Sequence, residues 1–426
     1  MPGKWHEMKL GDICDYQNGF AFKNSDYVEK SANTYEVFRM GYIERGGGYK
    51  QDSTPVFVNR NYGKNIDRFV LQKGDLTIAM TDMKNSMALL GHTAIVPESD
   101  RFVLNQRVGR IKVNDLSSLD QRFLYYYSNS RDHINYFRSR ANSGVQVNLT
   151  TASITEAVLK LPPLEDQRAI AHILGTLDDK IELNRRMNET LEAIARALFK
   201  SWFVDFDPVR SKAEGRDTGL PKPLTDLFPE SFEDSDLGEI PKGWEVVNLS
   251  DVADINYGQN LPQTKLLGYG IPVFGAAGFI GYYAEAMFES PIVLVTSRGS
   301  GSGTVHETNG PSFVTNNSFS VIPKDAWFSR HYLKASLLNG DISSLVTGSA
   351  QPQLTITNFS HLKLVQPDER VIREFHSFTD SVWQKMNANQ GESHTLATLR
   401  DTLLPKLISG ELRVPDTGRT VGRTAV

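Results

Sequence analysis

The sequence predicts an α+β chain in which two globular α/β domains are separated by two long helices that form an antiparallel coiled coil. Three observations support this fold class. One set of residues recurs at two constant offsets, a heptad pattern of apolar residues runs through each recurring segment, and short β-like runs mix with helical ones between them. The two copies predict a pseudo-two-fold internal repeat.

Two groups of identical residues define the repeat. The first group recurs 239 positions later: Trp5, Leu10, Asp12, Asp15 and Gly19 return as Trp244, Leu249, Asp251, Asp254 and Gly258. The second recurs 205 positions later: Gln146, Leu149, Thr150, Pro162, Arg168 and Asn184 return as Gln351, Leu354, Thr355, Pro367, Arg373 and Asn389. The falling offset predicts constant frames that enclose variable inserts of different length.

Each frame contains a heptad seam, with residues spaced alternately four and three apart. The first seam is Ile170, Leu174, Leu177, Ile181, Asn184, Asn188, Leu191, Ala195, Leu198 and Trp202. The second is Phe375, Thr379, Val382, Met386, Asn389, Ser393, Leu396, Arg400, Leu403 and Leu407. Polar residues at core positions cost stability and fix register, so we expect Asn184 and Asn389 to meet and to set the register of the pair.

The domain boundaries follow from the repeat and from composition. We predict a globular domain over 1–155, a spacer helix over 156–206, a proline-rich acidic linker over 207–243, a second globular domain over 244–358, a second spacer helix over 359–410 and a tail over 411–426. The linker is expected to lie on the surface because it has few periodic apolar positions.

Three polar segments in each insert are candidate contacts to nucleic acid, because neutral amides suit base edges and cations suit guanine or phosphate. The segment before each frame contains Ser143, Gly144, Gln146, Asn148 and Thr150 in the first insert and Gly348, Ser349, Gln351, Gln353 and Thr355 in the second. The turn after the central strand contains Asp82, Lys84, Asn85 and Ser86, or Arg298, Ser300 and Ser302. A third segment aligns Asn105, Gln106 and Arg107 with Asn316, Asn317 and Ser318. Ordinary solvated turns are the alternative interpretation of all three.

The sequence lacks the common catalytic and cofactor-binding motifs. The segment Leu161–Leu164 lacks the amide and the aromatic ring of an amino-methyltransferase motif, and no phosphate-binding G-x-x-x-x-G-K-[ST] loop occurs. A lone Cys14 and dispersed histidines predict no zinc site, and nothing suggests secretion or a membrane span, so we expect a cytoplasmic protein. The nearest approach to a metal-dependent nuclease is Asp75 with Asp82 and Lys84.

Four stretches resemble the DNA-specificity subunit of type I restriction-modification systems. They are Leu161–Ile170 (LPPLEDQRAI), Ala197–Phe203 (ALFKSWF), Gly238–Trp244 (GEIPKGW) and Leu404–Leu412 (LPKLISGEL). The resemblance covers nearly the whole chain and includes its duplication. It implies a host-defence role in which two target-recognition domains each contact one half of a split DNA sequence, and in which the paired helices hold the domains apart.

The resemblance also implies partners and the absence of catalysis in this chain. Two modification subunits would carry S-adenosylmethionine and methylate adenine, and restriction subunits would use ATP and Mg²⁺. A coiled-coil scaffold that binds only proteins and a stand-alone nuclease remain the alternatives. Residues 1–150 carry a net charge of +4 and residues 244–355 one of −3. We therefore expect the isolated chain to bind DNA weakly and with a shallow salt dependence.

Overall fold

A computed structural model describes residues 5–52, 54–63, 65–142, 144, 146–276, 278–348 and 351–414. The chain forms two compact units. The first comprises residues 1–182 and 393–426, and the second comprises residues 183–392. The expected contacts at Ser143 and Ser349 and most of the predicted tail, residues 415–426, lie outside the described residues.

The first unit is a mixed α/β structure. Its strands are β1 His6–Lys9, β2 Cys14–Asn18, β3 Thr34–Phe38, β4 Phe57–Asn59, β5 Leu76–Ala79, β6 Thr81–Met83, β7 Thr93–Ile95, β8 Phe102–Leu104, β9 Val108–Val113, β10 Gln146–Asn148 and β11 Val158–Leu161. Its short helices are α1 Leu10–Ile13, α2 Gln121–Ser128, α3 Arg131–Arg140 and α4 Thr151–Thr155, and the long helix α5 Leu164–Phe203 begins in it.

The second unit repeats this plan after a segment of its own. Helices α6 Asp207–Ala213 and α7 Lys222–Thr225 and strands β12 Phe232–Ser235 and β13 Gly238–Pro241 come first. The strands that follow are β14 Glu245–Asn248, β15 Ala253–Tyr257, β16 Ile271–Gly275, β17 Gly278–Tyr283, β18 Val293–Thr296, β19 Val305–Glu307, β20 Phe313–Val314, β21 Ser318–Pro323 and β22 Lys363–Gln366. The helices are α8 Leu249–Val252, α9 Arg330–Asn339, α10 Ile356–Ser360 and α11 Glu369–Ser409.

The four-stranded and three-stranded sheets have the same topology in the two units. A four-stranded sheet has the order β2-β9-β5-β7 in the first and β15-β21-β18-β19 in the second, and a three-stranded sheet has the order β4-β3-β8 or β17-β16-β20. In the outer ladders His6 pairs with Leu161 and Glu245 pairs with Gln366. These pairs are related by the offsets of 239 and 205, so the register of the sheets confirms the internal repeat.

The long helices bear out the heptad prediction. Helix α5 has 40 residues and α11 has 41, and every predicted seam residue is buried or half-buried. Within the second unit Asn188 Nδ2 donates to the Met386 carbonyl (3.1 Å) and the Phe199 and Phe375 rings lie 6.0 Å apart, so the helices run antiparallel. Helix α11 ends at Ser409 because Gly410 adopts the left-handed φ of +75° that commonly terminates helices.

The two predicted core asparagines meet in the second unit. The Asn184 amide nitrogen donates to the Asn389 carbonyl (3.3 Å) and to Glu392 Oε2 (2.8 Å). The Asn389 amide nitrogen donates to Asn188 Oδ1 (2.8 Å). Both Asn184 and Asn389 are at most 2% exposed. These bonds require one particular alignment of the helices, which is the geometry that a register-setting pair needs.

The predicted linker is an ordered part of the second unit rather than a free surface segment. Four secondary-structure elements lie in residues 207–243, and Phe206, Val209, Phe228 and Ile240 belong to the core around Phe203 and Trp244. Its apolar residues lie too far apart for a periodic pattern, yet each fills a place in a core built mainly by other segments. The long helices begin at Leu164 and Glu369 rather than at the predicted positions 156 and 359, because a strand precedes each helix.

Candidate nucleic-acid interface

The three predicted polar segments of the first unit lie side by side. The Met80 amide donates to the Arg107 carbonyl (3.1 Å), and the Leu149 amide donates to the Met80 carbonyl (2.8 Å). Strands β6 and β10 pair antiparallel, with Gln146 opposite Met83 and Asn148 opposite Thr81. Segments far apart in sequence therefore form one continuous surface at the end of the four-stranded sheet.

The second unit builds the same junction from its own residues. The Ser297 amide donates to the Asn317 carbonyl (2.9 Å), and the Leu354 amide donates to the Ser297 carbonyl (2.9 Å). Arg298 forms an antiparallel bridge with Gln353, as Thr81 does with Asn148 in the first unit. The repeat therefore extends to the segments predicted to contact a ligand, although their side chains differ.

We call these the first and second polar surfaces. The first consists of Lys84, Asn85, Ser86, Gln106, Arg107, Gln146, Asn148 and Thr150, all of them exposed. The second consists of Arg298, Ser300, Ser302, Asn316, Asn317, Gln351, Gln353 and Thr355, all of them exposed or half-buried. Val147 is buried between Gln146 and Asn148, so the strand alternation turns both amides outward.

Some of the predicted contact residues make side-chain hydrogen bonds within the protein. The Thr150 hydroxyl accepts the Ser153 amide (3.0 Å) and the Thr355 hydroxyl accepts the Asn358 amide (3.2 Å), so each threonine caps the short helix that follows it. The Ser302 hydroxyl lies 2.9 Å from the carbonyl oxygens of Gly299 and Pro352, which joins two segments of the second polar surface. These side chains shape the surfaces.

The structure shifts one alignment by a residue. Phe20 bridges Asn105 and Gln259 bridges Thr315, so Asn105 is equivalent to Thr315, not to Asn316. Gln106 then matches Asn316 and Arg107 matches Asn317. The sequence match was loose because an Asn-Asn pair offers two equally good alignments.

Asp82 and Arg138 hold the loop of the first polar surface, and sequence reasoning missed both Arg138 and this structural role of Asp82. Asp82 accepts the amides of Met83 (2.7 Å) and Leu89 (2.6 Å), and Arg138 Nη2 donates to the Met87 carbonyl (3.0 Å). Met87 has a φ of +43°, a conformation that needs such support. Arg138 belongs to the Arg-Ser-Arg run that ends α3, and this cluster of cations was the signal available in the sequence.

The two surfaces differ in charge. The first contains Lys84 and Arg107, and α3 adds Arg140, whose guanidinium lies 3.9 Å from the centre of the Tyr136 ring. The second contains the single cation Arg298. Elsewhere in the second unit Arg330 and Lys334 both pair with Glu307 (3.0 and 2.8 Å), which neutralises part of its positive charge.

Several titratable groups of the first unit have environments set by burial or by hydrogen bonds. Burial raises the pKa of the Cys14 thiol to about 12, with a smaller contribution from the charge of Asp15, so the thiol stays protonated at pH 7. Burial lowers the pKa of His92, which packs behind the loop. Asp75 accepts the Gln72 amide (2.9 Å) and lies 3.7 Å from Arg110. Among the described residues no three acidic, histidine or cysteine side chains cluster as metal ligands.

A family model described as the type I restriction modification DNA specificity domain matches residues 2–193 and 241–371. The matched residues include both polar surfaces, and the second match ends near the start of α11. The chain belongs to the type I restriction-modification DNA-specificity family. As a member of it, the chain is a specificity subunit that recognises a DNA target.

Curated relatives agree with this family membership. The chain is 28% identical over 407 residues to the type I restriction enzyme HindI specificity subunit of Haemophilus influenzae. This alignment covers 80% of this chain and 87% of the relative. The chain is 27% identical over 449 residues to the MjaIX specificity subunit of Methanocaldococcus jannaschii, covering 98% and 95%. The crystal structure of an S subunit from M. genitalium shares the fold with a TM-score of 0.57, at 18% identity and with 95% and 96% coverage. None of the described helices is long and apolar enough to cross a bilayer.

Proposed function

We propose that this chain is the non-catalytic specificity subunit of a type I restriction-modification complex and that it recognises a bipartite DNA target. Each compact unit contacts one half of the target through its polar surface. The duplicated three-segment junction is the observation that supports this proposal most strongly. A single repeated architecture whose exposed side chains differ is suited to two half-sites of different sequence.

The chemistry of the two polar surfaces fits DNA. Asn and Gln amides pair bidentately with adenine, and Lys or Arg pairs with guanine or phosphate. Gln146 and Asn148 extend from a two-stranded β-ribbon, a shape that the major groove of B-DNA admits. Because the two units are joined in one chain, the binding of one unit to its half-site favours binding of the other, and the overall affinity for DNA rises when the two half-sites lie at a compatible spacing. Specificity for a split sequence follows from that requirement.

The partners are part of the proposal. This chain positions two modification subunits that carry S-adenosylmethionine and methylate adenine, and restriction subunits that use ATP and Mg²⁺. Those subunits supply much of the phosphate neutralisation, since the second polar surface has one cation. In this proposal Asp75, Asp82 and Lys84 have no role in cleavage.

Co-expression with the cognate modification subunit, followed by mapping of methyladenine across a genome, tests the proposal. We expect one bipartite motif with two defined half-sites and an unread spacer. The matched control is the modification subunit expressed alone, which should leave no such motif. Cleavage of DNA by the purified chain with Mg²⁺ and no partner would instead support a nuclease, and unmodified DNA in the presence of an assembled complex would support a protein scaffold.

A further inference from the structure

The second polar surface lacks much of the charge that usually supports DNA binding. Its three segments contain Arg298 and no other Lys or Arg, and residues 244–355 have a net charge of −3. Phosphate contacts supply most of the affinity of typical DNA-binding proteins. This unit therefore needs another favourable contribution at its interface with DNA.

An apolar edge borders the second polar surface. Strands β16 and β17 form a hairpin whose turn residue Ala276 accepts a hydrogen bond from Thr296 Oγ1 (3.0 Å), two residues before Arg298. A Cβ added to Gly301 would lie 3.6 Å from the same Ala276 carbonyl. The turn of the hairpin therefore packs directly against the loop that contains Arg298 and Ser302.

Two large apolar side chains are exposed just beyond this turn. Phe279 is 53% exposed and Ile280 is 40% exposed. A Cβ added to Gly275 would lie 3.3 Å from both Ile280 Cδ1 and Thr315 Oγ1, and Thr315 immediately precedes Asn316. We call Phe279 and Ile280 the apolar edge. Ile280 places this edge beside the second polar surface on the side of Asn316, and Phe279 precedes it at a bulge of the hairpin, with its ring 5.1 Å from the Tyr282 ring.

An apolar group beside an adenine-reading amide has a specific counterpart in DNA. The partner of adenine is thymine, whose 5-methyl group is the apolar feature of the major groove and is contacted by Phe or by small apolar groups. We infer that the apolar edge packs against the 5-methyl group of a thymine in the half-site recognised by the second unit. This inference rests on the proposed function and adds a specificity-determining contact to it.

Replacement of thymine by uracil tests the inference because it removes only the methyl group. Duplexes containing the methylated motif are made with each thymine of both half-sites changed to uracil in turn, and binding is measured with the complex of this chain and its modification subunit. We expect one position, in one half-site, where uracil weakens binding three- to tenfold. An equal affinity at every position in both half-sites overturns the inference.

A variant then assigns the contact to this edge. In Phe279→Ala, binding to the thymine duplex should fall by a similar factor, and the uracil substitution should have no further effect. Tyr269→Ala is the matched control, because Tyr269 is 82% exposed and stands two residues before Ile271, which begins β16 at the other end of the same hairpin. Phe279→Leu keeps an apolar group and should retain most of the difference between thymine and uracil.

The failures of the two proposals are distinguishable. A complex that binds and methylates its motif but shows no response to uracil, or the same response in Phe279→Ala, contradicts the apolar contact and leaves the proposed function intact. A Phe279→Ala chain that binds DNA normally but assembles poorly with the modification subunit shows that the edge is a protein contact, which also overturns the inference. A complex that recognises no motif contradicts the proposed function itself.

Discussion

Gly19 and Gly258, which the repeat places at equivalent positions, offer a sharp test of how the polar surfaces are built. A Cβ added to Gly19 would lie 2.0 Å from the Asn105 carbonyl oxygen and 2.9 Å from the Gln106 amide nitrogen. At Gly258 it would lie 2.3 Å from the carbonyl oxygens of Val314 and Thr315. These obstacles are backbone atoms that no side-chain rotation can remove. An ordinary van der Waals contact of about 3.5 Å would require the Asn105 carbonyl to move by more than 1 Å.

Gly19→Ala and Gly258→Ala should therefore each destabilise their unit, by about 1–3 kcal/mol as in an overpacked core. The same displacement moves the turn that follows Asn105 or Thr315, so binding to one half-site should fall by roughly tenfold, or about 1.4 kcal/mol. Urea unfolding measures the first effect, and affinity of the assembled complex for its target measures the second.

The matched controls are Gly63→Ala in the first unit and Gly268→Ala in the second, because an added Cβ meets nothing within 4 Å at either position. Both should leave stability and DNA binding close to wild type. If Gly19→Ala were as stable as Gly63→Ala and bound DNA equally well, the close approach at Gly19 would not position the polar surface.

Further predictions concern the helices and a buried histidine. Replacing Asn184 and Asn389 together with Leu should raise the free energy of unfolding by about 1–3 kcal/mol while loosening register, and a large loss of stability in thermal unfolding would contradict this. Arg400 Nη1 lies 2.7 Å from Asp178 Oδ1. A double-mutant cycle with alanine at both positions, measured by urea unfolding, should give a coupling energy of about 1–2 kcal/mol. A coupling energy of zero would show that this ion pair does not stabilise the fold. Burial lowers the pKa of His133 to about 4. As the pH falls below about 6.5, His133 is therefore protonated in the unfolded chain but stays neutral in the folded chain. The contribution of His133 to stability is complete above pH 6.5 and should be lower by about 2 kcal/mol at pH 5. In urea titrations at pH 7 and pH 5, His133→Phe should remove that part of the loss, and the part due to His331, whose pKa burial also lowers to about 4, should stay. One extra heptad in each long helix should lengthen the unread DNA spacer by about three base pairs without changing either half-site, which methyladenine mapping would show.

The frame of the molecule could be predicted because its signals are local and repeated. A heptad seam specifies a helix pair by spacing alone, and identical residues such as Trp5 and Trp244 or Thr150 and Thr355 mark equivalent positions in two copies. Thr150 and Thr355 recur because each caps a helix, which the sequence could show as a repeat but not as a cap.

The junction of the polar surfaces was beyond sequence reasoning because it depends on pairing between distant strands. The hydrogen bonds from Met80 to Arg107 and from Leu149 to Met80 join residues 27 and 69 positions apart. The ordered segment 207–243 was missed for a related reason. Phe228 and Ile240 are buried against side chains supplied by other parts of the second unit, and no local period reveals such contacts.

In the proposed function each polar surface recognises its own half of a split target. The most direct test is methyladenine mapping for Asn148→Ala, expressed with the modification subunit and compared with Gln353→Ala at the equivalent position of the repeat. We predict that each variant relaxes one half-site, that the two variants affect opposite halves, and that the spacer is unchanged in both. Relaxation of the same half-site by both variants, or of neither half by either, would contradict the claim.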